Sequence, residues 1–362
     1  MSRRGAPRRS RSTVNIGARL MLRRGPIPIP IGVVSTVNSP REVPVKTGPV
    51  PGRAAAGGRG IDRRYRWPAH APPWPNPILI GVVSTVNLPR EVPVKTVTVL
   101  NRKGGCAKTS TCFHASAAFA ARGLRVLLVD LDPQANLSQG LLGPDVVRKM
   151  PPGRTLASVL DERGGPPLPE LIVDTPVPGV SLLPGSEAVE RFNITEPESA
   201  GALQYALRDA LAEAAPRFDL ALCDCPPNVQ LCSWGAMVAS DAVLVPVPPE
   251  DFGALGLLSL RRAIRRVQAG PNPRLRMLGF LLSMVNKSLS VHSGYEADLR
   301  SVYGEEVFAT VVPLAKDYKE AVLARRPVGV FKPRGAAAQV MATLAGEILE
   351  RLERDASAGE AA

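Results

Sequence analysis

The sequence predicts an α/β fold: a doubly wound, mostly parallel sheet with helices on both faces. An apolar run of β type at 97–100 (VTVL) leads into Lys103-Gly104-Gly105-Cys106-Ala107-Lys108-Thr109-Ser110. An Ala-rich helical pattern follows at 111–121, stopped by Gly123. Two further apolar runs, 125–130 and 218–224, each end in a carboxylate, Asp130 and Asp224. In a parallel sheet the carboxyl ends of the strands gather along one edge, where ligands bind, so these chain reversals converge on one site.

The order strand, Gly-containing loop, helix is what a phosphate-binding loop requires. Glycines let successive backbone N–H groups turn inward around phosphate oxygens, and the helix N-terminus adds partial positive charge. Lys108 supplies a point charge for the β- and γ-phosphates, and the Thr109 hydroxyl is placed to ligate Mg²⁺. The loop departs from Gly-x-x-x-x-Gly-Lys-[Ser/Thr] in three ways. Arg102 stands at the first glycine, Ala107 at the second, and an extra lysine, Lys103, lies inside. If the second position needs a positive φ, Ala107 costs about 1 kcal/mol there.

Beyond the first helix, the run ending at Asp130 continues as Leu131-Asp132-Pro133-Gln134, and the run ending at Asp224 continues as Cys225-Pro226-Pro227. Asp224, after a mostly apolar strand, has the form that holds Mg²⁺ through water, with Asp130 beside it as a second metal-site carboxylate. Asp132, one step past its strand, is placed to orient or activate an attacking water. Each aspartate taken singly also reads as a helix cap or turn residue. Three phosphate-site signals in order, each at a strand end, favour the nucleotide reading.

The chain has 362 residues and a net charge of +13. That charge sits in residues 1–95, which hold 17 Lys+Arg against 3 Asp+Glu, while the remainder holds 28 against 29. Bulk charge therefore says nothing about nucleic acid binding by the rest of the chain. The first 95 residues also hold 15 of the 37 prolines and two near-identical copies of one segment, 31–47 and 80–96, differing only at Ser39 and Leu88. Two Pro-broken units are too few for a solenoid and carry too little apolar surface to offset ordering entropy. The expectation is a disordered extension over 1–93, read as upstream sequence ahead of a true start near Val94–Val97 in preference to a functional basic tail. One α/β domain is expected over 94–355, with a disordered tail over 356–362.

Five cysteines, Cys106, Cys112, Cys223, Cys225 and Cys232, show no zinc-type spacing and suit reduced thiols packed as small apolar side chains. No apolar run reaches membrane-spanning length, and prolines 26, 28 and 30 interrupt any signal-like segment after Arg3-Arg4.

These residues resemble one family, the ParA/MinD group of deviant Walker A P-loop ATPases. The resemblance is carried by KGGCAKTS at 103–110, VDLDPQANLS at 129–138, DCPPN at 224–228, ASDAVLVPVPPEDFGALGL at 239–257 and the segment 306–352. It implies ATP and Mg²⁺ as cofactors, slow partner-stimulated hydrolysis to ADP and phosphate, and an ATP-bound homodimer. By resemblance, Lys103 reaches the partner's phosphates in trans, Lys108 holds phosphates in cis, Asp132 positions water, and Thr109, Asp130 and Asp224 serve the metal. The nucleotide contacts run through residues 103–110. Asn286, after the run 278–284, and Pro313 match adenine contacts, although Asn286 equally reads as a turn cap.

The ParA branch of the family implies chromosome or plasmid partition, with a ParB-like partner, nonspecific DNA in the ATP state, and a cytoplasmic, nucleoid-associated location. Lys316, Lys319, Arg325, Arg326, Lys332 and Arg334 are the candidate DNA contacts. Arg261, Arg262, Arg265 and Arg266 form two i,i+4 pairs that also read as a solvated helix face. The acidic C-terminal segment lacks the basic amphipathic pattern of a membrane-binding helix. Alternatives are a ParA-like ATPase positioning another cargo, or an amidoligase or reductase ATPase on the same fold.

Overall fold

The computed structural model describes residues 94–161, 163–249 and 254–360, so the readings made for residues 1–93 lie outside it. Seven strands form one sheet: β1 (Lys95–Val99), β2 (Val126–Asp130), β3 (Val173–Asp174), β4 (Val180–Leu183), β5 (Leu220–Asp224), β6 (Ala242–Val247) and β7 (Arg276–Leu282). Their order is β3-β4-β2-β5-β1-β6-β7. Every pairing is parallel except the short β3–β4 edge. Eight α-helices of seven or more residues occur among the described residues. They are α1 (Lys108–Ala120), α2 (Asn136–Leu142), α3 (Ala206–Ala214), α4 (Leu231–Ala239), α5 (Ala254–Ala269), α6 (Ser290–Tyr303), α7 (Lys316–Leu323) and α8 (Ala336–Glu360).

Alternation along the strands sends side chains to two cores. Leu127 and Val129 of β2, Cys223 of β5, Val243 and Val245 of β6 and Phe280 of β7 pack with α3, α4 and α5. Val97 and Val99 of β1, Leu128 of β2, Leu222 of β5 and Leu281 of β7 face the other way, against α1, α2 and α8. This is the doubly wound arrangement, and it explains why the strands read as nearly continuous apolar runs: they are covered on both faces. Helix α1 has almost no polar face because it is buried on nearly all sides, from Thr111 to Phe119.

The chain leaves β1, crosses to β2, returns through β5 between them, and then moves outward to β6 and β7. β5 thus lies between β1 and β2, with Asp224 registered against both Val99 and Asp130. The phosphate-type loop and both strand-end carboxylates meet at this point, as they do at a topological switch in open α/β sheets. The sequence expectations placed these three strands within two residues of their observed bounds. Helix α8 runs to Glu360, past the boundary at residue 355 drawn from the sequence.

Candidate nucleotide site

The loop from 100 to 107 is tied down at both shoulders. The Asn101 amide donates to the Pro246 carbonyl in β6 (2.7 Å), and its side-chain oxygen accepts from the Lys103 N–H (3.0 Å). At the far shoulder the Ser283 hydroxyl, just past β7, donates to the Cys106 carbonyl (3.1 Å). Within the loop, the Lys108 Nζ and the Cys106 thiol both donate to the Lys103 carbonyl, at 3.1 and 3.2 Å. Lys108 is buried, whereas Lys103, Gly104 and Gly105 are exposed at the crest.

Ala107 does occupy the left-handed region, with φ 69°, two residues after Gly105 at φ 73°. It is the residue before α1, and no side chain caps that helix. The first-turn N–H groups of a helix have no intrahelical partner, and here no side chain takes their place, so they remain for an anion.

Asp130 and Asp224 are both fully buried, but their surroundings differ. Asp130 Oδ2 accepts from the Ser138 hydroxyl (2.6 Å) and N–H (2.8 Å) at the start of α2, and Oδ1 accepts from the Asp132 N–H (3.3 Å). Burial raises its pKa to about 6 despite these donors. Neither carboxylate oxygen of Asp224 has a hydrogen-bond partner. Burial, then the neighbouring Asp130 charge, push its pKa well up, against the opposing pull of the Thr109 hydroxyl and the Lys108 ammonium. A buried carboxylate with two orphan oxygens beside a hydroxyl fits a hydrated divalent cation, which would supply the missing charge.

A cleft of about 670 Å³ opens over the loop, lined by 104–110, Asp132, Asn136 and Pro227 on one side. Met284, Val312, Pro313, Leu314, Tyr318 and Lys319 line the opposite side. Asp132 therefore faces the same space as Lys108 and Thr109, and its Oδ1 also accepts from the Gln134 N–H (2.9 Å). Pro313 lines the cleft. Asn286 does not: its side chain caps a turn by accepting from the Ser288 N–H (3.1 Å), and its N–H donates to His292. Apart from Pro313, the apolar wall and Ser283 were not legible in the sequence, since no spacing announces a residue such as Ser283 that arrives from 177 positions away. A shallower depression of about 320 Å³ near Arg125 and Arg217 offers less, because Arg125 pairs with Asp219 and Arg217 donates to the Pro169 carbonyl.

The basic residues near the C-terminus separate. Lys332 is held by Asp317 (2.6 Å) and Glu320 (2.7 Å), Lys316 pairs loosely with Glu320 (4.0 Å), and Arg326 donates to the Val330 carbonyl. Lys319, Arg325 and Arg334 are exposed, Lys319 on the cleft wall itself. In α5, Arg261 is committed to Glu306 and Arg266 to Glu198, while Arg262 and Arg265 are exposed.

The AAA_31 family, described as an AAA domain, matches residues 94–277. The chromosome partitioning protein ParA of Caulobacter vibrioides is 36% identical over 264 residues, which is 72% of this chain and 96% of that protein. The chain belongs to the ParA-type P-loop ATPase family. Among solved structures, cobyrinic acid a,c-diamide synthase from Mycobacterium smegmatis with bound ATP analogue and magnesium is 30% identical. The match covers 64% of this chain and 91% of that one, with a TM-score of 0.56. The septum site-determining protein MinD from Pyrococcus horikoshii, complexed with Mg-ADP, is 27% identical, covering 70% and 96% of the two chains at a TM-score of 0.56. This ParA-type protein is thus a partition-type ATPase with the doubly wound, mostly parallel sheet that the sequence led one to expect. Its five cysteines are all free and buried. Among the described residues no helix is long and apolar enough to cross a membrane, and no group of three or more His, Cys, Asp or Glu side chains is gathered to hold a metal ion.

Proposed function

We propose that this protein is an ATP-dependent dimerising switch of chromosome or plasmid partition that binds nonspecific DNA in its ATP state and answers to a ParB-like partner. The observation that carries the reading is the orphaned Asp224 carboxylate, buried behind Lys108 and Thr109 where an open cleft meets an uncapped helix N-terminus. In this reading Lys108 and the N–H groups of 104–110 hold the phosphates, and Thr109 and Asp224 hold Mg²⁺ between them through its ligand shell. Bound Mg²⁺ would supply charge neutralisation at the phosphates. Asp130, saturated by Ser138, keeps α2 and Asp132 in place, and Asp132 orients the water. Lys103, on the exposed crest, is the cation offered to a second copy. Pro313 and the apolar wall take the base. Lys319, Arg325 and Arg334 are the DNA contacts best supported by their exposure, with Lys316, Arg326 and Lys332 contributing less because their charges are already engaged.

The test is pelleting with nonspecific DNA. Asp132→Ala, which should retain ATP without spending it, is expected to pellet with ATP and Mg²⁺ and to release as salt rises. Equal pelleting with ATP, with ADP and without nucleotide would overturn the switch. The likeness to the cobyrinic acid a,c-diamide synthase supports a second reading, an amide-forming ATPase. Nucleotide turnover that requires a carboxylic acid and an amine donor, and ignores DNA, would favour it.

A further inference from the structure

We propose that Ser283 is a positioning residue for the phosphate loop, its hydroxyl holding the loop's strained turn through the Cys106 carbonyl. The proposal rests on the reading of residues 103–110 as a nucleotide site. Ser283 is fully buried at the end of β7, and its hydroxyl spans 177 positions of sequence to reach Cys106 at 3.1 Å. The bonded carbonyl belongs to the peptide that enters Ala107, the residue at φ 69°. In a trans peptide the C=O and N–H point in opposite directions, so fixing the Cys106 carbonyl aims the Ala107 N–H away from Ser283. Oriented backbone N–H groups are what a phosphate cradle is made of.

The magnitudes make this bond decisive. A left-handed alanine disfavours the turn by roughly five- to thirtyfold, and one buried hydrogen bond returns about two- to twelvefold. The two are comparable, so removing the hydroxyl shifts the loop's population by about tenfold. The adjacent residue, Met284, is itself left-handed at φ 56° and lines the same cleft, so the segment that holds the loop also shapes the opposite wall. Asn101 does the matching work at the loop's first shoulder, from β6.

The loop carries its own reporter. Cys106 is fully buried although residues 102–105 before it are exposed, and burial holds its thiol in the unreactive protonated form. The experiment uses the full chain and three variants: Ser283→Ala, Ala107→Gly, and the two combined. Thiol-reagent labelling is read cysteine by cysteine by peptide mass, beside calorimetric affinity for ATP with Mg²⁺ and steady-state turnover. Ser283→Ala is expected to label Cys106 alone about tenfold faster without nucleotide. It should weaken ATP affinity by about tenfold and leave kcat within about twofold, the equivalent of one lost hydrogen bond. Adding Ala107→Gly removes the strain and should recover most of the affinity. Unchanged Cys106 labelling, equal acceleration at all five cysteines, or a double variant no better than Ser283→Ala would each overturn the proposal. If the unaltered chain takes up no nucleotide, the nucleotide reading fails, and Cys106 labelling alone then decides whether Ser283 holds the loop.

Discussion

At the scale of single residues, two buried groups hold this chain at odds with its own stability. Asp224 keeps an unpartnered carboxylate in the sheet core, which costs stability in the absence of a cation. Asp224→Asn should raise the stability of the nucleotide-free protein by about 1–3 kcal/mol in urea unfolding while abolishing Mg²⁺-dependent nucleotide turnover. A variant that is both less stable and still active would contradict the reading of that carboxylate. His114 of α1 is the second group. Its Nδ1 accepts from the Val328 N–H at 3.0 Å, its Nε2 has no partner, and Phe113 and Tyr318 pack against the ring. Burial lowers its pKa from 6.5 to about 3. The folded protein therefore refuses a proton that the unfolded chain accepts, so stability falls as pH drops from about 6.5 toward 3, by about 1.4 kcal/mol per unit. Asp130, raised to about 6, works in the opposite sense, adding stability as pH falls from about 6 toward its ordinary range. Comparing His114→Gln with the parent isolates the histidine: the variant should lose about 2 kcal/mol less between pH 7 and 5, and parallel curves would refute this.

Among the elements, α7 connects the cleft to the basic surface. Tyr318, Lys319, Val322 and Leu323 line the cleft from this helix, and Leu323 is 85% exposed at its mouth. Lys332 anchors the helix from outside through Asp317 and Glu320. The helix ends with Arg325 in the left-handed conformation, φ 54°, and the Arg326 N–H returns to the Ala321 carbonyl at 3.0 Å. That closure normally uses glycine, because a Cβ is strained there. Arg325→Gly should stabilise the fold by about 0.5–1 kcal/mol in thermal or urea unfolding, net of the entropy glycine loses. The same variant should weaken DNA retention if Arg325 is a DNA contact, and a destabilised Gly variant would mean that its packing on Gly143 outweighs the strain. At the other edge, Glu347 of α8 accepts from the Ala309 and Thr310 N–H groups and pairs with Arg351. Burial alone would raise its carboxyl, but these donors prevail and lower it. Arg351 in turn binds the Leu278, Glu305 and Val307 carbonyls, so α8 fixes the crossover that follows α6.

For the molecule as a whole, net charge is spread unevenly along the sequence. The excess of Lys and Arg lies in the first 95 residues, and the described residues, from 94 on, hold the two apolar cores. A chain beginning at Val94 should therefore retain the parent's unfolding midpoint and ATP turnover within about twofold, since it keeps the sheet and the buried area of the described residues. Loss of cooperative unfolding in that truncation would give the extension a structural role. DNA retention measured on both chains separates the exposed lysines and arginines of 316–334 from the Arg-rich leader, because each phosphate contact steepens the salt dependence.

How much could be read in advance depends on how local the cause is. The sheet class, the loop and the three aspartates were legible because strand, loop and helix signals lie within a few residues of one another and parallel strands deliver their ends to one edge. The left-handed turn at Ala107 was foreseeable for the same reason, as a glycine position occupied by alanine. The sequence did not separate Asp130 from Asp224. Both end apolar strands, and only packing decides that Ser138 satisfies one and nothing satisfies the other. It left Asn286 open between base contact and turn cap, and it treated six basic residues as one patch, although Asp317 and Glu320 withdraw Lys332 from it. Ser283 could not be found at all, since its meaning lies in a hydrogen bond across 177 positions. Local pattern determines which groups a site contains; long-range packing determines which of their bonds are already made, and so which remain available to a ligand.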